Sequence, residues 1–180
     1  MTETLTPTRT QPGVTIRPYR PSDHNDCRRL WAELTRHRHG LYGEAGRESD
    51  AGAGFEEYLT QLNLSGMWVA EGGRGVVGFI GLMLDGRAGE VDPVVVADGL
   101  RGRGIGHALL DKVVDEARRR GLRRLTVSPS VRDLAALRSL HNAGFATVAS
   151  VTLAYNLGTS PVAPAGQDAT LDLHHLRFDT

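Results

Sequence analysis

The chain has 180 residues, enough for one domain with its own core, and 21 Lys plus Arg offset 21 Asp plus Glu to leave no formal net charge. That balance argues against a generic nucleic-acid binder, which carries a basic excess, and no apolar run reaches the ~18 residues of a membrane span. The single cysteine, Cys27, has no partner for an internal disulfide and points to a reducing cytoplasm.

In chain order, "MTETLTPTRTQPG" (1–13) lacks the basic and apolar regions of a secretory signal and is expected to be a disordered tail. "VTIRPYR" alternates and predicts a strand. Ser22 is a good N-cap for a helix whose buried stripe is Cys27, Leu30, Trp31 and Leu34. The polar, glycine-containing stretch 36–54 predicts a loop, and Phe55, Tyr58, Leu59 and Leu62 predict a second short helix. "MWVAEGGRGVVGFIGLML" predicts a hairpin, followed by a turn at Asp85-Gly86-Arg87 and the strand "GEVDPVVVA". Pro93 has no N–H for a ladder, so a bulge or an unpaired edge is expected there. From Gly104 the apolar period becomes helical through Ala117 and ends at Gly121, with Arg118, Arg119, Arg120, Arg123 and Arg124 near the negative pole of the macrodipole. "RLTVS" predicts a strand, Ser130 a cap for a helix through Leu134, Leu137 and Leu140, and "FATVASVTLAYNL" (145–157) a long strand. Residues 14–157 thus form one predicted domain, and 158–180 a linker with a terminal element of uncertain type. Hairpins first and a crossover helix later imply a mixed α/β sheet.

The stretch "VVVADGLRGRGIGHALL" puts glycines and arginines at a strand-to-helix junction. A Walker A loop is excluded, since no Lys-Ser or Lys-Thr follows the second glycine. A Rossmann fingerprint is disfavoured, since His107 falls in its third glycine slot. Free amides and the dipole at a helix start favour an anion, bare glycines allow close approach, and Arg101 and Arg103 add positive charge. That describes a pyrophosphate cradle. A tight turn with incidental arginines is the alternative that the local sequence leaves open.

Arg101-Gly102-Arg103-Gly104-Ile105-Gly106 resembles the Gln/Arg-x-x-Gly-x-Gly/Ala signature of the GNAT superfamily of acyl-CoA-dependent N-acyltransferases. Ala143-Gly144-Phe145, downstream, resembles the family's Gly-Phe at the start of its sixth strand. The resemblance implies a mixed, mostly antiparallel central sheet flanked by helices, with acetyl-CoA as cosubstrate. By position, the backbone of Val94, Val95 and Val96 would meet the pantetheine arm, and the amides of Gly102, Arg103, Gly104, Ile105, Gly106 and His107 the diphosphate. Asp133 falls where the family's downstream pattern places an asparagine, and the resemblance implies a cofactor contact there. Leu140 falls at the position of the family's usual tyrosine acid, and leucine donates no proton; His141 next to it is either a substitute or an exposed polar residue of the helix.

Acetyl transfer to an amine also needs proton removal, because a lysine-type amine with a pKa of ~10.4 is protonated at neutral pH. Glu90 resembles the position of a catalytic glutamate in several family members, and Asp92 shares its face unless the bulge intervenes. Solvated acids would look the same. His37, His39, Tyr42, Glu44, Glu48 and Asp50 fall where the family sets acceptor specificity. The pairs His37/His39 and His174/His175 lack further ligands at metal-site spacing, so no metal is expected. The resemblance therefore implies an N-acetyltransferase acting on a small-molecule or protein amine by direct attack in a ternary complex, with no nucleic-acid or membrane partner. A homodimer through Val148–Leu157 or the terminal element accompanies that reading. The rival is a non-catalytic acyl-CoA-binding or regulatory module on the same fold.

Overall fold

The computed structural model describes residues 13–42, 51–62 and 64–152. The expected terminal regions, apart from Gly13, and residues 153–157 of the last predicted strand lie outside that set. The elements are β1 (Thr15–Pro18), α1 (His24–Tyr42), α2 (Gly54–Gln61), β2 (Met67–Gly72), β3 (Gly75–Asp85), β4 (Ala88–Val96), α3 (Ile105–Arg119), β5 (Arg124–Val127) and α4 (Leu134–Asn142). They form a single sheet in the order β1-β2-β3-β4-β5. Every pair is antiparallel except β4 and β5, which run parallel across the α3 crossover.

Strand alternation builds a core on each face of this sheet. Met67, Val69 and Phe79 point to one face and pack with Cys27 and Leu30 of α1 and Phe55 and Tyr58 of α2. Trp68, Ala70, Ile80 and Leu82 point to the other and pack with Ile105, Leu109 and Val113 of α3 and Leu140 of α4. Cys27 is fully buried, and burial pushes its thiol up to about 12.

Capping differs from the sequence expectation at both predicted sites. Ser22 lies inside a short 3-10 turn, Pro21–Asp23, that leads into α1; there the Asp23 carboxylate accepts the Arg20 amide at 2.8 Å. The Arg17 guanidinium forks onto Asp23 at 2.7 and 2.8 Å and reaches Glu71 as well, tying β1 to this turn and to β2. That hydrogen-bonded pairing holds the Asp23 carboxyl below the ordinary aspartate range even though burial opposes it. At α4 the cap is Asp133, whose side chain accepts the Ala136 amide at 2.9 Å, while Ser130 receives the Arg132 N–H within the preceding loop and caps no helix amide.

Two larger corrections concern length. Helix α1 runs through Gly40 to Tyr42, over a stretch the sequence predicts as loop. Its last turns are held from a distance: the Arg132 guanidinium donates to the Leu41 carbonyl at 3.1 Å and lies over the Tyr42 ring, and Tyr42 meets Ser130 at 2.9 Å. One orphan carbonyl of the helix end is thereby satisfied by a side chain from outside the helix. The strand predicted from Phe145 shows only an isolated bridge at Thr147 up to residue 152. Val148 and Val151 are exposed there, so the alternating side chains have no layer to bury against.

Candidate active site

Strand β4 carries the bulge that Pro93 predicts. Ile80 and Leu82 of β3 face Val94 and Val91 of β4, so two steps on one strand span three on the other. The side chains record the extra residue: Val91 belongs to the α3 core and Val95, four residues on, to the α1 core, whereas an unbroken strand would keep them on one face. The displaced Asp92 carbonyl accepts the Tyr58 hydroxyl at 2.8 Å. Opposite it Gly81 is obligatory, because a Cβ there would collide with the Tyr58 hydroxyl and stand 2.6 Å from the Asp92 carbonyl oxygen. Burial pushes the Tyr58 phenol well above its usual range, so it remains a neutral donor.

Beyond the bulge, among the described residues, β4 has a partner on one side only. Its parallel pairing with β5 ends at Val91 and Val127, while its pairing with β3 continues through Val94, Val95 and Val96. Ala97 N–H turns to β3, onto the Val77 carbonyl, and the Val96 carbonyl receives Arg101 Nε from the opposite side at 3.3 Å. Alternation then directs the N–H and C=O of Val94 and Val96 outward, and those of Val95 toward β3. The result is a strand edge open where β4 and β5 part.

This edge leads through a 3-10 turn, Asp98–Leu100, into the glycine-arginine loop. Gly102 and Gly104 have φ of +74° and +81°, which side chains disfavour, and a Cβ on either would meet no atom within 4 Å. Gly104 is the N-cap of α3, and its carbonyl takes the Ala108 amide. The amides of Ile105, Gly106 and His107 therefore lie in the first turn, without carbonyls of the helix to bond. Ile105 buries its side chain and offers only its backbone. Arg101 turns back onto Asp98 at 2.7 Å, and His107 lies 3.6 Å from Asp111, so an acid stands beside each. Arg103 is exposed and, with Val14, Arg74, Val77 and Leu100, lines a cavity of about 270 Å³ beside the loop.

On the α1 face, the point where β4 and β5 part is ringed by polar side chains. Glu90, on the regular part of β4, and Asp92, within the bulge, both project there. Glu90 receives Ser128 Oγ at 3.1 Å and Asp92 lies 3.5 Å from the Arg38 guanidinium. The neighbouring α1 residue, His37, meets Asp133 of the β5–α4 loop at 2.8 Å. His37 and Arg38, successive on α1, thus reach the β5–α4 loop and β4.

Residues 24–145 match the profile of the acetyltransferase (GNAT) family, which is more than half of the chain. The chain belongs to the GNAT acetyltransferase family. Among solved structures, a GNAT-family acetyltransferase from Staphylococcus aureus Mu50 aligns with a TM-score of 0.63 at 20% identity, covering 82% of this chain and 93% of that one. AAC(6')-Iy, in complex with the bisubstrate analogue CoA-S-monomethyl-acetylneamine, aligns at 0.58 and 17% identity over 79% of this chain and 97% of its own. N-acetylglutamate synthase from Neisseria gonorrhoeae, complexed with coenzyme A and N-acetylglutamate, aligns at 0.53 and 23% identity over 72% of this chain and 28% of its own. At such identities the likeness is one of fold. Comparison with curated proteins returns no match.

Within this GNAT domain the sequence-predicted residues fall into two groups. Val94 to Val96 and Gly102 to His107 line one continuous run of strand edge, loop and helix start. Glu90, Asp92 and Asp133 lie across the sheet mouth, on the α1 side; both Asp133 oxygens are engaged, one by Ala136 N–H and one by His37. Leu140 is buried in the α3 core. Sequence reasoning missed Ser128, Arg38 and the pairing of His37 with Asp133, since partners 96 residues apart leave no local pattern. No helix among the described residues is long and apolar enough to cross a membrane, and none of their His, Cys, Asp and Glu side chains form a group of three that could hold a metal ion.

Proposed function

We propose that this GNAT domain is an N-acetyltransferase that moves the acetyl group of acetyl-CoA to a primary amine by direct attack in a ternary complex. The observation that carries the reading is the open edge of β4 at Val94–Val96 running straight into the bare glycine-arginine loop. An amide-containing arm fits the former as an added strand would, and a diphosphate fits the latter through free amides and the dipole of α3. The CoA and bisubstrate complexes of the structural relatives agree with that cosubstrate and with both substrates bound together.

On the opposite side of the mouth, Glu90 and Asp92 supply negative charge for a cationic amine. Glu90 is the candidate that removes the ammonium proton, directly or through water. The Val96 amide, directed outward, is the candidate donor for the oxyanion formed as the amine adds. With Leu140 in place of a tyrosine, the thiolate of CoA leaves without help from that position; a thiol of pKa ~8.5 is a tolerable leaving group.

The test is thiol release from acetyl-CoA with a panel of aminoglycosides, polyamines, amino acids and peptides. Amine-dependent turnover is expected for at least one class. Tight acetyl-CoA binding with no release across the panel would favour the rival, a non-catalytic acyl-CoA-binding module, whose one supporting observation is the buried leucine at the acid position.

A further inference from the structure

The cluster where α1 crosses the mouth holds a side-chain pair that the reading above leaves unused. His37 Nε2 lies 2.8 Å from Asp133 Oδ2, with side-chain exposures of 31% and 19%. An ionised carboxylate only accepts hydrogen bonds, so a neutral His37 donates Nε2–H to it and keeps its lone pair on Nδ1. Among the described residues Nδ1 has no hydrogen-bond partner. The carboxylate is itself fixed, because its other oxygen caps α4 through the Ala136 amide. This is a base with a set tautomer, oriented by an acid, the arrangement that general-base catalysis requires. Its neighbour on α1, Arg38, lies 3.5 Å from Asp92 in the bulge of β4, and Asp133 belongs to the loop that follows β5, so the pair ties α1 to the end of the sheet where β4 and β5 part.

We propose that His37, oriented by Asp133, carries the proton that must pass from the acceptor nitrogen to the sulfur of CoA. The inference rests on the acetyltransferase reading. The ammonium first loses one proton to Glu90 or its water, and the free amine adds to the thioester carbon. The C–N bond forms and the nitrogen becomes cationic. His37 Nδ1 takes one proton from that nitrogen. The intermediate collapses, the C–S bond breaks with its electron pair on sulfur, and the thiolate recovers the proton from His37. The sum is amine plus acetyl-CoA giving amide plus CoA thiol. His37 thus does the work for which Leu140 has no proton. Asp133 acts through His37 as a positioning residue.

The experiment measures thiol release by the full chain with whichever amine the parent accepts. His37→Ala and His37→Gln are expected to lower kcat by roughly 10²-fold or more, the scale of a positioned acid–base group, with KM for acetyl-CoA and thermal midpoint near the parent's. Added imidazole should restore part of the rate to His37→Ala, and nothing to Glu90→Gln. Asp133→Asn keeps a good helix cap, so a fall in kcat without loss of stability is expected there too. Parent turnover with His37→Gln within about twofold of it, or a loss that imidazole leaves untouched in a folded His37→Ala, overturns the inference and reduces the pair to a strap between α1 and the β5–α4 loop. A parent that releases no CoA with any amine overturns the acetyltransferase reading itself, and this inference with it.

Discussion

Asp23 joins β1 to the turn that leads into α1. It is 5% exposed, accepts the Arg20 amide and both arms of the Arg17 guanidinium, and through Arg17 it is linked to Glu71 on β2. Asp23→Asn keeps the shape but removes the charge that Arg17 pairs with, and should cost about 1.5–3 kcal/mol at neutral pH, the worth of hydrogen bonds to a charged group. The pH dependence has a definite sign. The folded-state pKa of Asp23 is depressed, so its contribution is whole above the unfolded value of ~3.9 and disappears as the pH falls through the lower folded value. Urea titrations at a series of pH values should show the gap between parent and variant closing only in that acidic range. A gap that stays constant down to the acid limit would mean that packing, and not charge, is what Asp23 supplies.

At the scale of elements, the bulge in β4 opens the sheet, and Gly81 is its seat. Gly81→Ala must push apart the Tyr58 hydroxyl and the Asp92 carbonyl that meet there, and should destabilise by roughly 1–3 kcal/mol as an overpacked site. Gly73→Ala, where a Cβ meets nothing within 4 Å, is the control and should be close to neutral. Equal midpoints for the two variants in thermal unfolding would show that the bulge yields easily. The bulge was legible in the sequence because its cause, a proline without an N–H inside a β-rich run, is local. The glycine-arginine loop was legible for the same reason: positive φ selects glycine at Gly102 and Gly104 whatever the rest of the chain does. The end of α1 was not. Gly40 and the polar residues around it favour a loop, and what extends the helix is Arg132, 91 residues away. His37 and Asp133 could each be singled out from sequence, but only the fold brings them into contact. The described part of the last predicted strand departs for the complementary reason: its alternation is real, yet beyond Phe145, which packs on the α3 core, residues 147–152 are exposed.

Taken as a whole molecule, the domain should respond to its cosubstrate as one cooperative unit. A ligand bound only by the native state adds about 2.7 kcal/mol at a hundredfold excess over Kd, which for a chain of this size is a rise of roughly 5–10 °C in Tm. Gly104→Val places a branched side chain in the space above the loop and at a φ it disfavours. Its own Tm should fall, and the increment produced by acetyl-CoA should vanish. A folded Gly104→Val with the parent's increment would move the diphosphate elsewhere. The buried Cys27 makes such measurements unusually clean. It is the sole sulfhydryl of the chain, fully enclosed between α1 and the sheet, and its thiolate is suppressed by burial. A disulfide reagent added to the native protein therefore titrates any CoA released from acetyl-CoA and not the protein. The same reagent, given time without substrate, counts the openings in which α1 lifts from the sheet, so one residue lets a single colour reaction serve as both an assay of turnover and a clock for unfolding.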